Sequence, residues 1–127
     1  MDNAVSDHLS TVFLVDDWDE RRIATKWFLT NLGCAVESAR FGAEALLVFN
    51  PETHDVVIIG ASKPGLSGTE LAHIIKMRSP TTPIIMYSAE TPEDQSCADV
   101  SFARPPHLLA LKEAVEKLAS RARPAPR

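Results

Sequence analysis

Short apolar segments without polar alternation recur along the chain, and they are rich in β-branched side chains. A run of four to six such residues is typical of a strand buried on both faces of a parallel sheet. The three strong segments are Thr11–Val15, Asp55–Ile59 and Pro83–Tyr87. Two weaker candidates are Cys34–Ser38 and Val100–Ala103.

Helical patterns fill the intervals between these segments. The first predicted helix ends before Gly33, a residue that suits the position after a helix end. The third predicted helix begins with a capping box formed by Ser67 and Glu70. The predicted helices are Asp19–Leu32, Phe41–Phe49, Ser67 to the residue before Pro80, and Pro106–Arg121.

The first and last helices carry apolar residues at near-helical spacing, so each predicts an inward face. In the first helix that face is Ile23, Trp27, Phe28 and Leu32, which makes Trp27 a core residue. In the last helix it is Leu108, Leu111, Val115 and Leu118.

A helix after nearly every strand implies a parallel sheet covered on both faces. Right-handed crossovers favour a doubly wound α/β fold, whose sites gather at the carboxyl ends of the strands. The residues directly after the apolar segments are therefore the ones that carry candidate chemistry. They are Asp16-Asp17, Gly60-Ala61, Ser88-Ala89 and Arg104-Pro105.

Composition narrows the function class. The 127 residues carry a net charge of −4, which argues against a nucleic-acid domain because phosphate binding needs a basic face. No apolar stretch is long enough for a membrane helix, and the polar start of the chain has no signal pattern. We therefore expect a cytoplasmic protein that binds no membrane. Cys34 and Cys97 are expected to be reduced thiols.

Asp16 and Asp17 are adjacent carboxylates at a strand end. Like charges this close repel, so a metal or a buried cation is expected to offset them. Alternatively, they cap the next helix, since Asp17 and Glu20 have capping-box spacing. Trp18 follows the pair, and it either packs there or covers the pocket.

The ordered set of residues at the strand ends resembles the CheY-like receiver domain of bacterial response regulators. The set consists of the acidic pair, the hydroxyl of Ser88 followed by Ala89, the cation Arg104 before Pro105, and the turn Pro64-Gly65-Leu66-Ser67-Gly68. The resemblance covers about Thr11 to Arg121. It implies a flavodoxin-like five-stranded parallel sheet in the order 2-1-3-4-5. It also implies that Asp16 and Asp17 match the carboxylates that hold a divalent cation, and that Ser88, Ala89 and Arg104 match the phosphoryl contacts.

Departures from that family pattern concern its chemistry. The phosphoacceptor aspartate of the family falls on Gly60, which has no carboxylate to phosphorylate. Arg104 stands where the family has lysine, and its planar fork differs from a compact ammonium. Ser101 stands where the family has its switch aromatic, and the neighbouring Phe102 should face the other side of the strand.

The segment between Ser88 and Arg104 is short by about one and a half helical turns for this family. Thr91–Cys97 has a good helix start but no apolar face, so the fourth helix is expected to be shortened or missing. Residues 1–10 and 122–127 are expected to be flexible, with a receiver domain over residues 11–121.

The resulting hypothesis is a degenerate, non-enzymatic receiver that works by protein contact, independently of phosphorylation. It needs no cofactor and binds Mg²⁺ weakly or not at all. A histidine kinase or another signalling protein is the expected partner, and a homodimer is left open. Two alternatives remain: a phosphorelay receiver with another acceptor, and the receiver part of a larger transcription factor or enzyme.

Two other constellations carry less weight. Gly60-Ala61-Ser62-Lys63-Pro64 half resembles a nucleophile elbow, but Pro64 stands where that turn needs glycine. The four histidines have no metal-ligand spacing and are expected at the surface; they are His8, His54, His73 and His107.

Overall fold

The structure, a computed structural model, describes residues 10–61, 68–88, 97–102 and 106–122. Strands and helices alternate through β4, as the apolar pattern predicts. The strands are β1 (Thr11–Asp16), β2 (Ala35–Ala39), β3 (Val56–Ala61), β4 (Ile84–Ser88) and β5 (Val100–Phe102). The helices are α1 (Asp19–Asn31), α2 (Gly42–Val48), α3 (Gly68–Arg78) and α4 (Leu108–Ala122).

All five strands are parallel and form one sheet in the order β2-β1-β3-β4-β5. This confirms the doubly wound α/β fold and its strand order. The order reverses between β1 and β3, and ligand crevices of open α/β sheets lie at such a point, outside the carboxyl ends of the strands.

The sheet separates two hydrophobic clusters, as expected when helices cover both faces. The first, which includes Val12, Leu14 and Ile58, packs against α1 and α4. The second, which includes Phe13 and Ile59, packs against α2 and α3. Alternation along each strand assigns neighbouring side chains to opposite clusters.

The predicted inward face of α1 is wrong. Ile23 and Trp27 are 61% and 67% exposed, whereas Thr25 and Leu29 are buried. Only Phe28 of the predicted face packs against the core. The apolar residues of α1 lie on both sides of the helix, so their spacing alone does not identify the side that meets the sheet.

Gly33 ends α1 as predicted. Its φ of 101° is a left-handed conformation that glycine adopts without steric cost. The N–H of Gly33 donates to the carbonyl of Thr30, and the N–H of Cys34 donates to the carbonyl of Leu29. These two bonds form a Schellman motif that satisfies the last carbonyls of the helix.

His54 corrects the expectation that every histidine lies at the surface. It is 3% exposed, and its ring stacks on Phe13 at a centroid distance of 4.7 Å and lies beside Phe49 at 5.9 Å. Its Nδ1 accepts the N–H of Asn50 at 3.0 Å, and its Nε2 bonds Glu37. An aromatic stack and two polar partners compensate its burial. His73 and His107 are exposed.

Several sequence predictions lie outside the described residues. They concern the shortened or missing fourth helix, most of Thr91–Cys97, the Ser67 cap, His8, and most of residues 1–10 and 122–127. Within the described ranges no helix is long and apolar enough to cross a membrane.

Candidate functional site

Three residues meet side by side at the carboxyl edge of the sheet. Asp16 of β1 is in register with Gly60 of β3, and Gly60 is in register with Tyr87 of β4. Asp16 lies in alternation with Val12 and Leu14, and therefore on the α1 side of the sheet. This row crosses the point at which the strand order reverses.

The carboxylate of Asp16 is fully buried and accepts four hydrogen bonds. One oxygen accepts the N–H of Trp18 at 3.0 Å and Nη2 of Arg21 at 2.8 Å. The other accepts Nε of Arg21 at 2.6 Å and the hydroxyl of Tyr87 at 2.8 Å. A carboxylate offers about four lone-pair sites, so the Asp16 side chain is saturated.

Tyr87 reaches Asp16 by crossing the strand between them. A Cβ atom built on Gly60 would lie 2.1 Å from Cε1 and 2.5 Å from the hydroxyl oxygen of Tyr87. The tyrosine ring therefore fills the space that any side chain at position 60 would need. Gly60 is not among the positive-φ glycines of the described chain, so space, not backbone conformation, requires glycine here.

Arg21 is the cation that neutralises Asp16. Its guanidinium lies 5.0 Å from the Trp18 ring centre and 5.3 Å from that of Tyr87, within cation–π range. Burial alone would lower the pKa of Arg21, but the hydrogen bonds and charge of Asp16 outweigh it, and the pKa is raised. Burial also raises the pKa of Tyr87, and the neighbouring Asp16 charge raises it further.

The other predicted site residues are placed only in part. Asp17 is partly buried next to Asp16. The N-cap of α1 is Trp18, one residue after the position that the capping-box spacing of Asp17 and Glu20 predicts, and Trp18 makes no side-chain capping bond. Ser88 is in register with Ala61.

Ala89 and Arg104 lie outside the described residues. Ser101, which the family resemblance matches to the switch aromatic, is exposed, whereas Phe102 packs against the first cluster, so the two side chains lie on opposite sides of β5. Trp18 is 52% exposed at the rim, where its ring contacts Arg21.

Arg21 and Tyr87 hold this site together, and neither is among the site residues predicted from the sequence. Arg21 belongs to the first turns of α1, where a side chain can reach back to the strand end. In the sequence, Tyr87 is simply the last residue of an apolar segment. The row formed by Asp16, Gly60 and Tyr87 could have identified Tyr87, but it requires the strand register; the available signal for Arg21 is its place in α1, five residues after Asp16.

The family model of the response regulator receiver domain matches residues 12–101. The Autoinducer 1 sensor kinase/phosphatase LuxN of Vibrio campbellii is 30% identical over 89 residues. That match covers 70% of this chain, and the chain spans 10% of the length of that relative.

Solved structures agree with this match. The response regulator TrrA of Thermotoga maritima, in complex with Mg²⁺-BeF, gives a TM-score of 0.77 at 30% identity and covers 87% of this chain and 99% of its own. TrrA bound to the histidine kinase ThkA gives the same TM-score and identity, covering 88% and 100%. A CheY-like receiver from Methanospirillum hungatei, at 23% identity, shows the fold with a TM-score of 0.81 over 90% and 96%. The chain belongs to the response regulator receiver domain family.

Proposed function

We propose that this receiver domain signals through protein contact and does not pass through a phosphorylated state. The observation that carries the proposal is the Tyr87 ring over Gly60. Position 60 offers no carboxylate, and the space above it is filled by carbon atoms of the ring. A phosphoryl group would have neither an acceptor nor room at this point of the sheet.

Other carboxylates are poor substitutes for the acceptor. Asp16 is fully buried and accepts four hydrogen bonds, so neither oxygen is available as a nucleophile. Asp55 precedes β3 and therefore lies at the amino ends of the strands, away from the pocket. There its side chain accepts the N–H of Thr11 at 2.8 Å. Asp17 is partly exposed, and it is the acceptor that the alternative phosphorelay function would need.

The outward face of α1 supplies a contact surface. Ile23 and Trp27 are four residues apart, so they lie on the same side of the helix, and more than half of each is exposed. We call these two residues the α1 patch. Large adjacent apolar side chains on a surface helix are typical of a docking face, and an amphipathic partner helix is a suitable ligand for it.

A histidine kinase is the proposed partner of the α1 patch. TrrA, which is 30% identical to this chain, has been solved in complex with the histidine kinase ThkA. Another signalling protein or a second copy of the chain would be able to bind the same apolar surface. We propose the cytoplasm as the compartment, which agrees with the free thiols of Cys34 and Cys97, and no catalytic activity of the domain itself.

The first experiment tests phosphorylation directly. The protein is incubated with acetyl phosphate and Mg²⁺, and its intact mass is measured alongside that of a receiver with an intact acceptor aspartate. We expect the mass of this protein to stay unchanged while the control gains one phosphoryl group. A phosphorylated form that disappears in Asp17→Asn would establish the phosphorelay alternative.

The second experiment tests the contact surface. Purified cytoplasmic portions of histidine kinases from the source organism are titrated with the parent protein, Trp27→Ala and Leu47→Ala. Leu47 lies on α2 and is 88% exposed, so its variant controls for the loss of a surface apolar side chain. We expect a kinase to bind the parent and Leu47→Ala with or without acetyl phosphate, and Trp27→Ala at least about tenfold more weakly.

The match to LuxN favours a second candidate function. The chain corresponds to about a tenth of that sensor kinase/phosphatase, so a segment similar to this chain is part of a larger signalling protein. In that setting the domain would contact other parts of the same polypeptide. The length of the intact gene distinguishes this candidate from a stand-alone receiver.

A further inference from the structure

The divalent cation implied by the receiver family does not fit the pocket of this chain. Mg²⁺ needs anionic oxygen ligands with free lone pairs, and protein donors occupy all four lone-pair sites of Asp16. Position 60 adds no carboxylate, and Asp17, the other member of the predicted pair, is partly buried and already has an interaction partner. Within the described part of the chain, no group of three or more His, Cys, Asp or Glu residues is placed to hold a metal ion.

Arg21 already performs the electrostatic task that a cation would perform. Its guanidinium bonds both oxygens of Asp16 and lies 3.5 Å from the carbonyl oxygen of Gly60. The rings of Trp18 and Tyr87 lie within cation–π distance of it. A metal ion could reach Asp16 only by displacing this guanidinium. The positive charges of the metal ion and of Arg21 would then lie close together beside one carboxylate.

We infer that Arg21 is a built-in counter-ion that replaces the divalent cation, so that Asp16, Arg21 and Tyr87 form a closed link between β1, α1 and β4. The inference extends the proposed function at the same pocket. Its consequence is that the position of α1, which carries the α1 patch, does not depend on Mg²⁺. The link holds the pocket in one conformation whether or not Mg²⁺ is present.

Thermal melting with and without Mg²⁺ tests the inference. The parent protein, Arg21→Gln and Arg40→Gln are melted in EDTA and in about 10 mM Mg²⁺ at matched ionic strength. Both substitutions remove one arginine charge, but Arg40 is half-exposed and bonds Asp19 at the surface, so its variant is the matched control. Trp18 fluorescence in a Trp27→Phe background provides a second measure of Mg²⁺ binding.

We expect the parent and Arg40→Gln to melt at the same temperature in both conditions. Arg21→Gln should melt about 10 °C lower in EDTA, since Asp16 loses its only described side-chain cation, and should recover several degrees in Mg²⁺. A parent protein that Mg²⁺ stabilises by more than about 3 °C would overturn the inference. So would an Arg21→Gln variant that melts like the parent.

Arg21→Lys covers the case in which Arg21→Gln does not fold. Lysine keeps the positive charge but not the two-pronged hydrogen bond, so this variant should fold with a reduced melting temperature and remain insensitive to Mg²⁺. Stabilisation of Arg21→Lys by Mg²⁺ would contradict the role of the charge. None of these measurements involves a phosphodonor or a partner, so the inference and the proposed function can fail separately.

Discussion

Replacing Gly60 by alanine adds one methyl group at the most crowded point of the pocket. The new Cβ would lie 2.1 Å from Cε1 and 2.3 Å from Cζ of Tyr87, distances at which the ring must move. The backbone itself accepts alanine, because Gly60 is not among the glycines with positive φ. The expected cost is therefore the cost of displacing the tyrosine ring.

Two contributions set the size of this cost. Forcing extra carbon into a well-packed core destabilises by about 1–3 kcal/mol. Moving the ring also breaks the 2.8 Å hydrogen bond from the Tyr87 hydroxyl to Asp16, and a bond to a charged group contributes about 1.5–3 kcal/mol. We expect Gly60→Ala to lower the free energy of unfolding by about 3–5 kcal/mol.

A double-mutant cycle identifies Tyr87 as the cause. Gly60→Ala, Tyr87→Ala and the double variant are unfolded in urea and followed by circular dichroism. Tyr87→Ala alone should cost about 3–5 kcal/mol through the cavity that it leaves. In that background Gly60→Ala should cost less than about 1 kcal/mol, which gives a coupling energy of about 3 kcal/mol.

Two results would refute this reasoning. If Gly60→Ala costs less than about 1 kcal/mol in the parent, the ring does not occupy the space above Gly60. If the full cost persists without the Tyr87 ring, the strain arises from the backbone or another neighbour.

Three further predictions concern other parts of the structure. Tyr87 is the only tyrosine, and its pKa is raised in the folded protein. Its contribution to the free energy of unfolding should therefore be fully present below pH ~10 and should fall above that pH, by up to ~1.4 kcal/mol per pH unit. An ultraviolet titration of the folded protein with a midpoint near pH ~10 would be the contrary result. Gly33→Ala should lose about 1 kcal/mol in urea unfolding, because alanine is strained at a φ of 101°; an unchanged midpoint would mean that the turn relaxes freely. His54→Phe keeps the aromatic stack but leaves the N–H of Asn50 without its acceptor, and should cost about 1–3 kcal/mol. Equal stability of this variant and the parent would show that the imidazole contributes only its ring.

The sequence by itself determined the strands, the helices and their parallel arrangement. Buried parallel strands read as uninterrupted β-branched segments, and Gly33 marked the end of α1, because these signals depend on near neighbours in the chain. The sequence also showed directly that position 60, near the end of β3, offers no carboxylate, because this depends only on residue identity.

Only the tertiary structure decided which side of α1 meets the sheet and what fills the pocket. Apolar residues lie on both sides of α1, so the burial of Leu29 and the exposure of Trp27 follow from the helix's orientation over the sheet. The bond between Tyr87 and Asp16 spans three strands and 71 sequence positions, and it exists because strand register aligns both residues with a glycine. Contacts of this kind depend on distances across the sheet, which local sequence patterns do not encode.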